Sequence, residues 1–201
     1  MDNTTVVIIV AFFASAVLVA IGVAIWLMMR KRRTSELRSK FGPEYNRMAR
    51  AEGDAARAEG LLREREKRVS KLDIKPLTTQ RQNEFANEWE RVQAEFVDDP
   101  TAAVVHADAL VQLVMTERGY PVVDFEQRVA DVSVDHPAVV QNYRLAHDIA
   151  VQHEHQDVGI EKLRQAMLHY RALFADLLYD GGLQPVRDVR PERTTDARRA
   201  A

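Results

Sequence analysis

The stretch IEKLRQAMLHYRALFADLL, from Ile160 to Leu178, decides the fold class of this chain. Its apolar residues recur at intervals of three and four, which places their side chains on one face of an α-helix. Gly181 and Gly182 follow and predict where the helix ends. The stretch therefore predicts an amphipathic helix of a packed helical body. Its apolar stripe comprises Ile160, Leu163, Met167, Tyr170, Phe174, Leu177 and Leu178.

The helical period continues back to Leu77 and predicts four more helices. Thr78 or Thr79 is the expected N-cap of the first, "DDP" at residues 98–100 separates the first two, and Pro137 opens a later one. The polar segment QHEHQDVG, residues 152–159, is predicted to be a loop. We therefore predict an all-α fold with a bundle of about five helices over residues 77–180 and a disordered tail over 181–201. The expected core residues are Phe85, Trp89, Val92 and Phe96; Val104, Ala107, Leu110, Val111, Val114 and Met115; Phe125, Val129 and Val132; and Val140, Tyr143, Ala146, Ile149 and Ala150.

Residues 30–76, ahead of the bundle, are predicted to form a basic helical stalk. Gly42 and Pro43 signal a helix start, and Pro76 ends the pattern. A heptad seam runs between them, but it is rich in alanine and is interrupted by Arg65. We predict a solvated helix about 45 Å long, which either pairs weakly with a second copy as a homodimer or lies against its own domain. The seam comprises Met48, Ala51, Ala55, Ala58, Leu62, Arg65, Val69 and Leu72.

The first part of the chain predicts a membrane anchor. Residues 4–29 carry no charge, and about 20 apolar residues are enough to cross a bilayer. We expect a short N-terminal segment over residues 1–4 and a transmembrane helix over residues 5–29, with Trp26 at the interface. The basic residues 30–33 then place the N-terminus outside and the remainder in the cytoplasm. A cleaved signal peptide is the alternative, but the chain lacks a basic segment ahead of the apolar run.

The charges divide the chain into a basic part and an acidic part. Residues 30–75 carry 15 Lys and Arg against 8 Asp and Glu, giving +7, whereas residues 76–180 carry 8 against 18, giving −10. An acidic body repels phosphate backbones, so no nucleic-acid partner is expected. We expect the lipid bilayer and a protein with a basic surface as partners. The chain contains no cysteine, which excludes disulfides and thiolate chemistry.

The segment DFEQRVADVSVDHP, residues 124–137, concentrates ionisable side chains in the manner of an active site. We interpret it instead as the corner between two helices. Asp124 is expected to cap the first helix with Gln127 as its reciprocal partner, and Ser133, Asp135 or His136 is expected to cap the next one. Asp131 has no capping role in this interpretation and is expected to face solvent.

We predict no catalytic residue, no metal ligand and no cofactor. His153, Glu154 and His155 form the densest ligand-like group, but we expect them in a solvated loop. The leading hypothesis for function is a membrane-anchored cytoplasmic interaction or scaffold protein. One alternative is a metal-dependent phosphohydrolase, because LAHDIA, residues 145–150, is similar to the His-Asp dipeptide of the HD-type family, although the Gly-Lys that usually follows is missing. The other is a purely structural envelope spacer. The phosphohydrolase would use His106, His147, Asp148 and Asp176.

Four segments together carry a family resemblance: FGPEY, KLDIKPL, RGYPVVDFEQRVADVSVDHPAVVQNYR and LRQAMLHYRALF. They resemble a group of small bacterial single-pass membrane proteins of the actinobacterial type. The resemblance implies a membrane anchor, but no active site and no residue roles. Members are also described as secreted, which conflicts with the topology that the charges predict, and we keep that topology.

Overall fold

All the regular secondary structure in the described part of the chain is helical. The computed structural model describes residues 3–121 and 123–179, with side chains from Val17 onward. No strand occurs within these ranges, which confirms the all-α prediction. The tail predicted over residues 181–201 lies outside them. The helices are α1 (Asn3–Phe41), α2 (Pro43–Glu52), α3 (Ala55–Val69), α4 (Thr79–Asp98), α5 (Pro100–Arg118), α6 (Phe125–Asp135), α7 (Val140–His155) and α8 (Ile160–Leu178).

The last five helices form the predicted bundle. α5 lies at its centre and packs against α4, α7 and α8. The predicted apolar stripes supply most of the core, and α8 buries its stripe from Leu163 to Leu178. Ile160 is exposed at the first residue of α8, because only one turn further along does the helix meet its neighbours. The rings of Trp89 and Phe174 stack with their centroids 4.8 Å apart and join α4 to α8.

The helix ends follow the predicted capping chemistry in most places. The side chain of Thr78 accepts a hydrogen bond from the backbone of Arg81, and Asp99 accepts one from Ala102. Asp124 likewise accepts one from the backbone N–H of Gln127, at 3.0 Å. These side chains satisfy amide groups that the first turn of a helix leaves without partners.

Two predicted boundaries are wrong. α7 begins at Val140 rather than at Pro137, and no side chain caps it. It also continues to His155, through half of the segment predicted to be a loop. His153 lies 2.9 Å from the hydroxyl of Thr101 on α5. This contact to another helix supports the extra turn of α7, which the polar composition of the segment did not indicate.

The predicted stalk is not a single helix. α2 ends at Glu52, and its C-cap Gly53 has a φ of 66°, in the left-handed region that favours glycine. Asp54 then caps α3 by accepting a hydrogen bond from the backbone N–H of Ala56. The chain therefore turns back, and α2 and α3 pack against each other. α3 also packs against α6 of the bundle. The alternative that the segment lies against its own domain is thus the one that the structure adopts.

A second, smaller core holds this folded segment. Four of the eight residues of the predicted seam are buried in it, so the same chain covers half of the residues expected to pair with a second copy. The homodimer stays a prediction. Ile74 packs against both cores and joins the small one to the bundle. The small core comprises Leu37, Phe41, Tyr45, Met48, Ala58, Leu62, Val69 and Val134.

α1 is 39 residues long and continues without a break from the apolar segment through the basic cluster. Within the described ranges, no helix combines the length and the apolarity required to cross a bilayer. This finding does not support the transmembrane helix expected over residues 5–29, which stays a prediction.

Candidate functional site

An open groove lies between α4 and α5. Its volume is about 950 Å³. Its walls come from the C-terminal half of α4 and the middle of α5, which face each other because the tight turn at Asp99 makes the two helices a hairpin. The groove is lined by Glu88, Arg91, Val92, Glu95, Asp98, Asp99, His106, Ala109, Leu110 and Leu113.

The rim of this groove is acidic. Four carboxylates and one arginine give it a formal charge of −3 with His106 neutral. Arg91 is paired with Glu88 on the same helix. Glu95 on α4 lies 2.7 Å from Nδ1 of His106 on α5 and bridges the groove. The rim thus presents negative potential to solvent, which attracts a cationic ligand.

The floor of the groove is apolar. Val92 and Leu110 are buried beneath it, whereas the side chain of Leu113 is 52% exposed. Val105, Ala109 and Leu113 follow one another at intervals of four on α5 and all are exposed. Residues four apart lie on the same face of a helix, so they form an apolar stripe along the acidic rim. An apolar floor with a net negative rim is suited to an amphipathic helix of positive charge.

The residues of the 124–137 segment do not converge on one site. Asp124 caps α6 and borders a shallow depression together with Arg65 and Arg68. Nδ1 of His136 instead lies 2.6 Å from the carboxylate of Asp176 on α8. Asp135 accepts a hydrogen bond from the hydroxyl of Tyr120.

His136 belongs to a buried polar cluster at the ends of α5, α6 and α8. Arg118 donates to the backbone carbonyl of Leu177 at 2.6 Å and lies 3.4 Å from Nε2 of His136. The carbonyl groups of the last turn of a helix have no partner within the helix, so Arg118 and the His136–Asp176 pair fix the C-terminal end of α8. The hydroxyl of Ser133 donates to the carbonyl of Ala130 and is not directed at His136.

Asp131 contradicts the expectation of solvent exposure. It is 1% exposed, and its carboxylate accepts hydrogen bonds from Arg68 on α3 and from Gln127. Gln127 therefore does not reciprocate the cap of Asp124 with its side chain. The unfavourable position of a negative charge late in a helix is offset by an arginine from another helix, which no local pattern indicates.

A buried ionic cluster around Glu44 was missed by sequence reasoning. Glu44 is 2% exposed, and its carboxylate accepts hydrogen bonds from Arg47 on α2, Arg65 on α3 and Arg144 on α7. Burial acts to raise the pKa of Glu44, but the three guanidinium groups outweigh it and leave the pKa below its usual value. Burial lowers the pKa of Arg65. The one signal in the sequence is the position of Arg65 in the apolar seam, which we interpreted only as an interruption of that seam.

The four residues of the phosphohydrolase alternative have separate surroundings. His106 contacts Glu95, the ring of His147 stacks on Phe125 with centroids 3.6 Å apart, and Asp176 pairs with His136. Asp148 is exposed on α7. In the described part of the chain, no group of three or more His, Cys, Asp or Glu side chains is arranged to hold a metal ion.

Comparisons with protein-family models, curated proteins and solved structures found no match to this chain. The resemblance to small bacterial membrane proteins therefore stays a prediction, and any function must be argued from the geometry.

Proposed function

We propose that the protein is a membrane-anchored helical interaction protein whose bundle docks a basic amphipathic helix of a partner protein in the α4–α5 groove. The observation that carries this proposal is the combination of a rim of charge −3 with an exposed apolar stripe along α5. Complementary charge would steer the partner to the groove. Burial of Ala109 and Leu113, which line the groove, would hold it there.

The anchoring half of the proposal rests on the N-terminal segment. Residues 4–29 contain no charged side chain. On α1, the large apolar side chains from Val17 to Met29 are exposed on all sides of the helix. A helix that is apolar all round needs an apolar surrounding, and lipid supplies one. The basic cluster at residues 30–33 favours a cytoplasmic position for all that follows.

Peptide binding tests the groove. Full-length protein in detergent micelles is titrated with a fluorescent helical peptide made of lysine and leucine, and with a control peptide in which glutamate replaces lysine. We expect the basic peptide alone to bind, and Leu113→Ala to weaken binding about tenfold, through lost apolar burial at the centre of the contact. Glu95→Lys is expected to weaken binding more at low salt than at high salt, because salt screens the rim charge.

Two matched variants on other faces control this experiment. Leu168 on α8 is 50% exposed, close to the value for Leu113, and Glu154 on α7 is exposed. Leu168→Ala and Glu154→Lys should leave peptide binding unchanged. If they weaken it as much as the groove variants, binding is nonspecific and the groove is not the docking site. Circular dichroism of each variant separates loss of binding from loss of fold.

Membrane fractionation tests the anchor. The full chain should stay in the membrane pellet after an alkaline wash, whereas a variant without residues 1–29 should move to the soluble fraction. A reporter fused at the C-terminus should read as cytoplasmic. A full-length chain found in the soluble fraction would refute the anchor and leave the groove proposal to be judged by peptide binding alone.

A further inference from the structure

We infer that the cleft between α1 and α3 is a binding site for the phosphate of an anionic phospholipid. The inference rests on the proposed membrane anchor and adds to it a headgroup site. The cleft has a volume of about 240 Å³. It is lined by Trp26, Met29, Arg30, Arg33, Ala56, Glu59 and Arg63.

One face of α1 supplies three kinds of surface in succession. Trp26, Arg30, Arg33 and Leu37 follow at intervals of three and four and therefore lie on the same face. Leu37 is buried in the small core, whereas Trp26 is 58% exposed. Between them the face is basic. Along α1, this face is first apolar, then cationic, and then packed against protein. At a membrane surface, the acyl chains, the phosphates and the cytoplasm follow one another in the same order.

The fold adds a third arginine that the basic cluster does not contain. α2 reverses the chain, and Arg63 of α3 is brought to the same cleft as Arg30 and Arg33, 30 positions after Arg33 in the sequence. Arg63 forms a long ion pair of 3.4 Å with Glu59. That carboxylate is also engaged by the hydroxyl of Tyr45 at 3.1 Å.

The arginines of α1 remain available for an anion. Among the described residues, neither Arg30 nor Arg33 forms an ion pair, and the guanidinium of Arg30 lies 5.6 Å from the centroid of the Trp26 ring. Three arginines against Glu59 leave the cleft with a formal charge of +2. Guanidinium groups bind phosphate oxygens with paired hydrogen bonds, and phosphate is the anion that a membrane surface presents.

The cleft also continues along the two helices away from Trp26. A second depression is lined by Arg33, Glu36, Leu37, Lys40, Arg63 and Glu66. Lys40 is paired with Glu66 there at 2.6 Å. Three cations against two carboxylates give this depression a formal charge of +1. The positive charge is therefore higher at the end of the cleft that Trp26 and Met29 border.

Quenching of tryptophan fluorescence by brominated lipids tests the site. The chain contains two tryptophans, and Trp89 is buried in the bundle, so quenching reports on Trp26. Full-length protein is reconstituted into vesicles of about four parts phosphatidylcholine to one part phosphatidylglycerol, at about 0.15 M salt to screen distant charges. In one series the phosphatidylcholine is brominated, and in the other the phosphatidylglycerol is brominated at the same mole fraction of bromine.

We expect phosphatidylglycerol to be enriched around Trp26 relative to its bulk fraction. Arg63→Gln should reduce that enrichment by about fivefold, the effect of one cation near a membrane surface. Arg57→Gln is the matched control: Arg57 lies on the same helix and also pairs with a glutamate, Glu52, but it does not line the cleft. Arg33→Gln provides a second test from α1 if the Arg63 variant is unstable by circular dichroism.

The outcomes separate the site from the anchor. No quenching by either brominated lipid would refute the anchor, which is the membrane half of the proposed function, and the headgroup site that rests on it. Equal quenching by the two lipids would leave the anchor intact and overturn the headgroup site. An equal loss on Arg57→Gln and Arg63→Gln would show general surface charge instead of a site. Loss of the enrichment on addition of millimolar inorganic phosphate would show that the cleft takes phosphate from solution and would overturn the assignment to lipid.

Discussion

Arg68 on α3 holds the buried carboxylate of Asp131 on α6, with Nε at 2.8 Å and Nη2 at 2.6 Å from the same oxygen, Oδ1. The two residues are 63 positions apart in the sequence. Their pairing fastens the folded N-terminal segment to the bundle where α3 crosses α6. The segment and the bundle are therefore joined by an ionic contact as well as by the small core around Leu62.

Asp131→Asn should reveal how much this contact contributes. The change keeps the shape of the side chain but removes the charge, and it leaves Arg68 without its carboxylate partner. We expect the free energy of unfolding to fall by about 1–3 kcal/mol, measured by urea denaturation of the full chain in micelles. Asp148→Asn, at an exposed position on α7, should change it by less than about 0.5 kcal/mol. Equal effects of the two substitutions would refute a structural role for the pair.

Two glycines should respond to alanine in opposite ways. Gly119 has a φ of 101°, and a Cβ there would lie 2.4 Å from the backbone oxygen of Asp73. Gly119→Ala should therefore destabilise the folded protein by about 2 kcal/mol or more. Gly60 lies within α3 with open space around it, so Gly60→Ala should stabilise by up to about 1 kcal/mol. Thermal unfolding of the two variants beside the wild type checks both signs. A stable Gly119→Ala protein would mean that the segment around Asp73 does not lie against the end of α5.

The cluster around Glu44 predicts a dependence of stability on pH. The pKa of Glu44 is lowered in the folded chain, so its contribution is fully present above its unfolded pKa near 4.5 and is lost as pH falls through the lower folded value. Glu44→Gln should lower the free energy of unfolding by about 3 kcal/mol at pH 7. We expect this value, the low end of the range for a broken buried ion pair, because Arg47 stays partly exposed to water.

The difference in unfolding free energy between the wild type and Glu44→Gln should therefore narrow as the pH is lowered below 4.5. Glu64→Gln, at an exposed position on α3, should change the free energy of unfolding by the same small amount at pH 7 and below pH 4.5. A Glu44→Gln penalty that is constant across this range would contradict the ionised state assigned to Glu44.

Tyr143 predicts a titration at high pH. Burial, reinforced by the nearby charge of Asp108, raises the pKa of Tyr143 to about 12 from 10. The unfolded chain releases this proton first, so stability should fall as pH rises between those two values. Spectrophotometric titration should show a phenolate step near pH 12 that is absent from Tyr143→Phe. Tyr143→Phe also loses the hydrogen bond that Arg128 donates to the Tyr143 hydroxyl, which should lower its free energy of unfolding by about 1 kcal/mol at neutral pH. A wild-type titration without that late step would contradict the burial of Tyr143.

The bundle could be predicted from the sequence because its signals are local. The stripe of α8 repeats every three to four residues, and the caps at Thr78, Asp99 and Asp124 each act on an amide three positions away. The prediction of a single-helix stalk was wrong because the local signals in that segment were ambiguous. An alanine-rich seam is compatible with one long helix or with a hairpin, and the left-handed conformation of Gly53 decides between them.

The candidate groove could not be predicted from the sequence, for a related reason. Local patterns assigned Val92 and Leu110 to the core, but whether Leu113 is exposed depends on how α4 and α5 pack against each other. The acidic charge of the body was evident beforehand, whereas its concentration on this rim was not. Likewise, the basic cluster at residues 30–33 was visible, but the arrival of Arg63 beside it required the reversal at α2.

By itself, the sequence determined that the body is helical, where its core faces lie and that charge divides the chain into a basic and an acidic part, because periodicity, capping and composition are properties of short segments. Only the tertiary structure decided that the basic segment folds back onto the bundle and that Glu44 and Asp131 become buried ion pairs. A charge can leave water only when partners from distant segments meet it, and the meeting of Glu44 with Arg144, 100 positions away, is fixed by the packing of whole helices.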